Sequence, residues 1–481
     1  MANIRRATAQ AVLLCRREKT LRVCNSCARG FRSLSVLCSK EDTDSKVSFT
    51  APKPVFDFDY LCDAKNTSVI RQNILDRKAT GDIDKLVSFW KQYNNSDEVE
   101  VKSFFQERSN DEQFFDEQIR ILAAEIPNKT HPSVPIGSEL QNELVGTHGE
   151  KREFDFKPKS VVQLGEEMGY LRTNEVSATT GHKTFYLTGD FALLERALIR
   201  FAVDTVQKYG FELMTVPELI HPSIIESCGF PVTGERAQVY KLKSSEHGDV
   251  CLAGTAEMPL AGYFIRKNLG TSHLPQKVSA ASRCFRAETS GVDEEQGIYR
   301  VHQFNKVEMM MLSTNENDQE SDRNLQEILS IQKHIFSELG LHYRVLNMAS
   351  EELGAPAYQK YDIEAWMPNK EFWGEVSSCS NCTDYQSRRL DITYWSEKNE
   401  NLKFVHTLNG TACAVPRTIM AIVENNQNKD GTVAIPEVLQ QYMMGKSVIA
   451  RESNYLKNKF IIPTRTYKKL LRKPEKEDNK N

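Results

Sequence analysis

The sequence has no uninterrupted run of about 18 apolar residues, so no segment reads as a membrane-spanning helix and no membrane partner is expected. It has no excess charge of either sign: 62 lysines and arginines face 65 acids, a formal net charge of -3. A whole-chain field for nucleic acid is therefore excluded, and any RNA footprint must be local. Both glycine-rich phosphate signatures, G-x-x-x-x-G-K-[ST] and G-x-G-x-x-G, are missing, so a nucleotide, if used, is held by another device. The cysteine pattern of a secreted scaffold is missing too. Of 11 cysteines, Cys15, Cys24, Cys27 and Cys38 lie in the first forty residues, and the remaining odd number is scattered, which argues for reduced thiols. Cys24 with Cys27 and Cys379 with Cys382 have C-x-x-C spacing. Most of the chain separates the two pairs and no histidine pair stands at finger spacing, so no zinc site is expected.

A local excess of positive charge stands at the start. Arg5, Arg6, Arg16, Arg17, Arg22, Arg29 and Arg32 stand against the single acid Glu18, with serines, alanines and apolar residues between them. An Arg-rich, acid-poor, amphipathic start is what mitochondrial import selects, whereas the apolar run Ala11–Leu14 is too short for a secretory core. Residues 1–45 are thus expected to be a mitochondrial presequence, cleaved between Arg29 and Lys46, and the mature protein to lie in the matrix. The alternative is a basic arm that touches RNA.

A chain of 481 residues has room for two or three domains. Residues 46–130 read as a helical arm. Val69, Ile70, Ile74, Ile83, Leu86, Val87 and Trp90 recur at helical intervals, a second helix carries Phe114, Phe115, Ile119 and Leu122, and Asn94–Asp97 supplies the turn of an antiparallel hairpin. Ile126–Gly137, broken repeatedly by proline, reads as an interdomain linker. In residues 131–450, Leu193–Tyr209 predicts a long helix stopped by Gly210, and Phe211–Val216 a strand ended by Pro217. Lys277–Arg286, Tyr299–Met311, Tyr361–Met367 and Leu402–Leu408 predict further strands, with helices at Asn324–Leu339 and Pro416–Gln427. Strands outnumber β-α-β units, which favours an α+β domain: a mainly antiparallel sheet flanked by helices. Residues 451–481 form a basic tail, with Arg465 and Lys468–Lys473, either touching phosphate or simply solvated.

Chemistry concentrates in three stretches. Arg286 and Glu288, two apart at a strand end, are expected on one sheet face, an arginine fork for phosphate beside a carboxylate. A lone R-x-E would be a structural ion pair. Downstream, Glu375-Val376-Ser377-Ser378 adds a carboxylate and hydroxyls, and Asn409–Arg417 ends a strand and opens a helix with an arginine near its positive end.

These stretches resemble the three signature motifs of class II aminoacyl-tRNA synthetases, in the wording of the seryl-tRNA synthetases. The resemblance covers roughly Gly137 to Gly445, through "TAE", "FRAE", "YRVHQFNKVEM", "NGTACAVPRT", "ENNQNKDGT" and "IPEVLQQYM" in family order. It implies the class II catalytic fold and activation of L-serine by ATP with Mg2+, followed by transfer to mitochondrial tRNA(Ser). By resemblance, Thr255, Glu257, Arg286, Glu308 and Thr411 bind serine. Arg286, Ala287, Glu288, Val301, His302, Gln303, Phe304, Glu375, Val376, Ser377, Ser378 and Arg417 bind ATP. Glu375 and Ser378 hold the metal, and Arg286, Glu288 and Arg417 are the catalytic set. Pro217 looks like the motif-one proline of a homodimer interface. Two features depart from the family. Pro416 stands where glycine is expected, which a helix start tolerates, and the arm, at about 25 residues per helix, reaches only about 38 Å. Two other readings are a catalytically inactive paralogue acting as a binding partner, against which Arg286, Glu288, Glu308 and Arg417 argue, and a ligase loading a carrier protein, whose relatives use a zinc pocket.

Overall fold

The computed structural model describes residues 51–95, 109–173, 177–234, 237–243, 249–288, 297–317 and 319–451. The expected presequence, the centre of the expected hairpin turn and the basic tail lie outside them. Among the described residues no helix is long and apolar enough to cross a membrane.

The N-terminal part contains α1 (Thr67–Asp76), α2 (Ile83–Asn95) and α3 (Ser109–Glu125). Their apolar faces meet in one buried cluster that includes Ile70, Ile74, Ile83, Leu86, Ile119 and Leu122. Helices α2 and α3 run antiparallel, since Gly81, just before α2, abuts Glu125 and Ile126 at the end of α3, whereas Phe89 meets Phe115 at 6.2 Å. The first stretch is not one helix as its periodicity suggests. It breaks between Arg77 and Asp82, where Lys78 has φ 48 and a Cβ on Gly81 would come within 2.8 Å of Glu125 O. The break lets the periodic apolar residues of both halves reach the same cluster.

The proline-rich segment that follows is fastened down along its length. Asn128 N–H donates to Ala355 O and His131 N–H to Tyr358 O, each at 2.9 Å, and Val134 is buried. Arg77, 4% exposed and facing no acid, donates Nη1 to Asn128 O at 3.0 Å and Ala357 O at 2.8 Å, and Nη2 to Gly354 O. One guanidinium thereby ties the end of α1, the segment 127–137 and the loop 354–358 together, satisfying carbonyls that have no secondary-structure partner.

The elements that build the main sheet and pack on it, in chain order, are β1 (Glu143–His148), α4 (Val161–Met168), α5 (Gly189–Lys208), β2 (Glu212–Met214), α6 (Glu257–Tyr263), β3 (Gln276–Phe285), β4 (Gln303–Ser313), α7 (Glu320–Glu338), β5 (Tyr343–Asn347), β6 (Gln359–Met367), β7 (Phe372–Asn381), α8 (Tyr385–Leu390), β8 (His406–Ala414) and α9 (Val415–Asn425). The strands form an eight-stranded sheet in the order β1-β5-β6-β7-β8-β4-β3-β2, antiparallel except for the β2–β3 pair. This is the antiparallel α+β architecture read from the sequence. The expected strand Leu402–Leu408 divides at Val405: Asn401–Phe404 pairs with Thr393–Ser396 in a small sheet, and only the part after it enters β8.

The apolar run Met309-Met310-Met311-Leu312 shows why β4 lies at the centre. Met309 and Met311 pack with Leu194 and Leu198 of α5, Ile328 of α7 and Ile419 of α9; Met310 and Leu312 pack on the other face with Met258 and Leu260 of α6. A strand covered on both faces needs no alternation, and each fully buried side chain of this size contributes about 1.5–3 kcal/mol. Helix starts follow local rules: Ser160 and Gln163 form a reciprocal capping box on α4, with Gly169 in the left-handed region closing it, and Pro416 sits in the first turn of α9.

Glu424, near the end of α9, is fully buried and accepts N–H groups from Val161 at 3.0 Å and Asn369 at 3.3 Å. Burial pushes its carboxyl from 4.5 up to about 7. A raised folded value means that the folded chain keeps a proton the unfolded chain releases, so this contribution is full below pH 4.5 and is lost as pH rises toward 7. Denaturation of Glu424→Gln at several pH values should show a shallower decline of stability between pH 5 and 8 than the parent; an unchanged slope would count against this assignment.

Candidate active site

Two irregularities in strand pairing build the site. In the β6–β7 pair, Ser377 lies opposite Ile363 and Glu375 opposite Glu364, so Val376 is an extra residue. In the β4–β8 pair, Val307 lies opposite Cys413 and Glu308 opposite Thr411, so Ala412 is extra. In a regular strand Glu375 and Ser378, three apart, would face opposite sides. The bulge resets the alternation, and both line the same pocket, as do Thr411 and Ala414 across the second bulge. The pocket encloses about 510 Å³, counting its open mouth.

Arg286 and Glu288 reach this pocket by a route other than the expected one. Strand β3 ends at Phe285, and Glu288 takes φ 42, so strand alternation does not govern the pair. This strained left-handed residue is held by Lys183 Nζ, which donates to Glu288 O at 2.7 Å, and its buried carboxylate has Arg300 Nη1 at 3.5 Å. The Arg286 guanidinium lies 5.5 Å from the Phe304 ring centre and donates Nε to Gly254 O at 3.3 Å. It has no ion-pair partner among the described residues, which leaves most of its fork open to the pocket.

Arg417 enters from the first turn of α9. Its Nη1 meets Glu375 O at 3.0 Å and Glu375 Oε2 at 3.1 Å, its Nε donates to Tyr299 O at 3.1 Å, and its guanidinium stacks 4.2 Å from the Tyr299 ring centre. Burial opposes the charge on Arg417, but Glu375 outweighs it and raises the pKa. Burial likewise works against the Glu375 carboxylate, yet Arg417, Lys360 and Arg286 hold it down at about 2.

Thr255, Glu257 and Glu308 do not line the pocket; with Thr411 they form a buried polar recess beside it. Thr411 belongs to both spaces: it lines the pocket and donates Oγ1 to Glu308 Oε2 at 3.1 Å. Thr255 Oγ1 donates to Glu308 Oε2 at 3.4 Å, and Lys306 forms an ion pair with Glu308. Glu257 Oε1 accepts from Gln386 Nε2 at 2.6 Å and Asn409 Nδ2 at 2.9 Å, while among the described residues no donor meets its Oε2. Burial and then the neighbouring Glu308 push the Glu257 carboxyl up to about 7. A small ligand bearing an ammonium and a hydroxyl matches two carboxylates and two threonines in this arrangement.

Of the segment expected to meet the nucleotide, Val301 and Phe304 line the pocket; Ala287, His302 and Gln303 do not. Ala287 N–H donates to Gln238 O, the His302 Nδ1 lies 3.0 Å from Arg286 O, and Gln303 is exposed. Ala287 and His302 thus hydrogen-bond within the loop. Conversely, the structure adds residues without an expected role. Lys306 and Tyr299, both within the quoted "YRVHQFNKVEM", line the pocket, Asn409 opens "NGTACAVPRT", and Gln386 lies outside every quoted motif. Cys379 and Cys382 are buried free thiols; Cys382 Sγ lies 3.6 Å from Asn409 Nδ2. Among the described residues no group of three or more histidines, cysteines or acids could hold a metal ion.

Comparison with known proteins gives a consistent family. Residues 240–426 match the model of the tRNA synthetase class II core domain (G, H, P, S and T). The chain is 46% identical over 328 residues to the mitochondrial serine–tRNA ligase of Mus musculus, covering 68% of this chain; the match spans only 63% of that relative. It is 41% identical over 352 residues to the serine–tRNA ligase of Rubrobacter xylanophilus, covering 73% of this chain and 81% of that one. The solved seryl-tRNA synthetase of Pyrococcus horikoshii complexed with ATP superposes with a TM-score of 0.74 at 30% identity, over 83% of this chain and 100% of that one. With the antiparallel sheet, the arginines converging on one cavity and relatives covered over most of their length, the chain belongs to the serine–tRNA ligase family of class II aminoacyl-tRNA synthetases.

Proposed function

We propose that the protein is a serine–tRNA ligase that activates L-serine with ATP and transfers it to the 3′ end of mitochondrial tRNA(Ser). The observation that carries this reading is that Arg286 and Arg417, far apart in sequence, line one cavity that shares Thr411 with the carboxylate recess. Serine occupies the recess, its ammonium against Glu257 Oε2 and Glu308 and its hydroxyl among Thr255 and Thr411. ATP occupies the pocket with Phe304 and Glu288 on the base side. Serine carboxylate attacks the α-phosphorus in line and pyrophosphate departs, with Arg286 holding the α-phosphate and Arg417 the far end of the triphosphate. The residues position reactants and neutralise charge, and no protein nucleophile is needed. The tRNA ribose hydroxyl then attacks the carbonyl carbon of the seryl adenylate, forming the ester as the bond to phosphate breaks and AMP leaves. Selectivity follows from burial: alanine keeps the ammonium but leaves the threonine hydroxyls without their partner, and threonine brings an extra methyl into a buried recess.

The donors present fit a magnesium ion that arrives with the triphosphate. Glu375 and Ser378, one carboxylate and one hydroxyl facing the cavity, suit a cation bound by one or two protein oxygens plus phosphates rather than by a protein cage. When bound there, the ion would supply further neutralisation of phosphate charge.

A second copy of the chain is proposed to pair along edge strand β2, where Pro217, Leu213 and Leu219 are exposed. The Arg-rich start supports import into the mitochondrial matrix, residues 46–130 a tRNA-contacting arm, residues 131–450 the catalytic domain and residues 451–481 a basic tail. The reading is tested by charging mitochondrial serine tRNA transcripts with labelled serine. Acid-stable label on tRNA, absent with non-serine transcripts, is expected. Adenylate formation without tRNA charging would point to another acceptor, such as a carrier protein.

A further inference from the structure

The recess around Glu257 contains one side chain that the motifs do not account for. Gln386, on α8, is fully buried; its Nε2 donates to Glu257 Oε1 at 2.6 Å, whereas its own Oε1 is buried without a hydrogen-bond partner among the described residues. A buried carboxamide with an orphaned acceptor is unfavourable for folding, so its presence beside Glu257 asks for a role beyond packing. The helix that carries it is fixed from other sides. Val55 N–H donates to Arg388 O at 2.8 Å, Ser387 Oγ to Val405 O at 2.6 Å, and the Arg389 guanidinium lies 5.1 Å from the Phe56 ring centre and 3.4 Å from that of Tyr385. Gln386 thus approaches Glu257 from a base that packing and hydrogen bonds hold still.

We infer that Gln386 is a positioning residue that keeps Glu257 turned into the recess and allows it to change charge without changing place. A carboxamide is suited to this because its N–H donates to a carboxylate and, turned over, its oxygen accepts the proton of a carboxylic acid. With Asn409 Nδ2 also on Oε1, the second oxygen of Glu257 is left to a ligand. The charge state matters here, since burial and Glu308 hold the Glu257 carboxyl at about 7, while Gln386, Lys306 and Arg286 pull it down. The other titratable groups near it, the Cys228 and Cys382 thiols, are kept protonated by burial and by Glu257 itself. Removing Gln386 therefore moves Glu257 toward its neutral form, which cannot pair with an ammonium.

This inference rests on reading the recess as the serine site. Full-length wild type and Gln386→Met are compared by serine-dependent ATP–pyrophosphate exchange between pH 6 and 9. Loss of a hydrogen bond to a charged group predicts a rise in the KM for serine of about tenfold near pH 7. The gap should narrow as pH rises, with the KM for ATP unchanged. A serine KM and pH profile equal to wild type, or KM values for serine and ATP rising together, would overturn it. If the methionine variant does not fold, Gln386→Asn, which withdraws the amide by one methylene, is expected to show the same split. Should wild type show no serine-dependent exchange, the functional reading fails on its own. The positioning role is then read by carbon-13 NMR titration of Glu257, whose midpoint must rise in Gln386→Met; an unmoved midpoint refutes it.

Discussion

Arg286→Ala is expected to lower serine-dependent ATP–pyrophosphate exchange by about a hundred- to a thousandfold, the loss typical of removing one preorganised donor to developing charge. The effect should fall on chemistry rather than on folding. Among the described residues the Arg286 side chain makes one hydrogen bond, from Nε to Gly254 O, and no ion pair, so its fork is available to a ligand and contributes little to holding the sheet together. The denaturation midpoint of the variant should therefore stay near that of the parent. Arg286→Lys restores the charge without the planar fork and is expected to recover only part of the activity. Arg417 differs, because it is built into Glu375 and Tyr299. Its removal should depress stability together with activity, and the pair of variants separates a ligand-facing arginine from one that also braces the pocket.

Gly410→Ala should cause a large loss for a single added methyl. Strand β8 passes beneath α7 so closely that a Cβ at Gly410 would lie 2.4 Å from Ile328 Cγ2, 3.1 Å from Gln332 Nε2 and 3.2 Å from Cys379 Cβ. Ile328 is fully buried in the main core and cannot move aside alone, so helix and strand must part. Overpacking of this kind costs about 1–3 kcal/mol. The consequence extends to the site, because Gln332 Nε2 donates to Ser378 O at 2.8 Å and Thr411 O at 3.0 Å, the carbonyls that fix the bulged stretches of β7 and β8. Activity should fall further than stability predicts, and a variant as stable and active as the parent would contradict this view of how the pocket is braced.

These examples also show where the sequence was readable. The strand expected at Tyr299–Met311, found at Gln303–Ser313, the helix stop at Gly210 and the arginines at Arg286 and Arg417 are local signals, each interpretable from neighbours a few positions away, and they foretold the sheet, the flanking helices and one cavity for two distant arginines. Glu288 was placed in the right cavity for an incomplete reason, since alternation ends at Phe285 and a positive φ takes over. The bulges at Val376 and Ala412 were not legible because they are properties of register between strands, not of either strand alone. The break between α1 and α2 escaped periodicity because the apolar residues on both sides serve one cluster. Gln386 escaped for a further reason: only the packing of α8 brings it to Glu257, and a glutamine in isolation carries no chemical signature.

The central claim is that two arginines and a carboxylate recess act on one substrate pair. Its most direct test is ATP–pyrophosphate exchange by the purified protein against each of the twenty amino acids. Exchange with serine alone, lowered at least about a hundredfold in Arg286→Ala and strongly weakened in Glu257→Gln, is the predicted result. Exchange with another amino acid in preference to serine, or serine-dependent exchange in Arg286→Ala close to that of the parent, would contradict it.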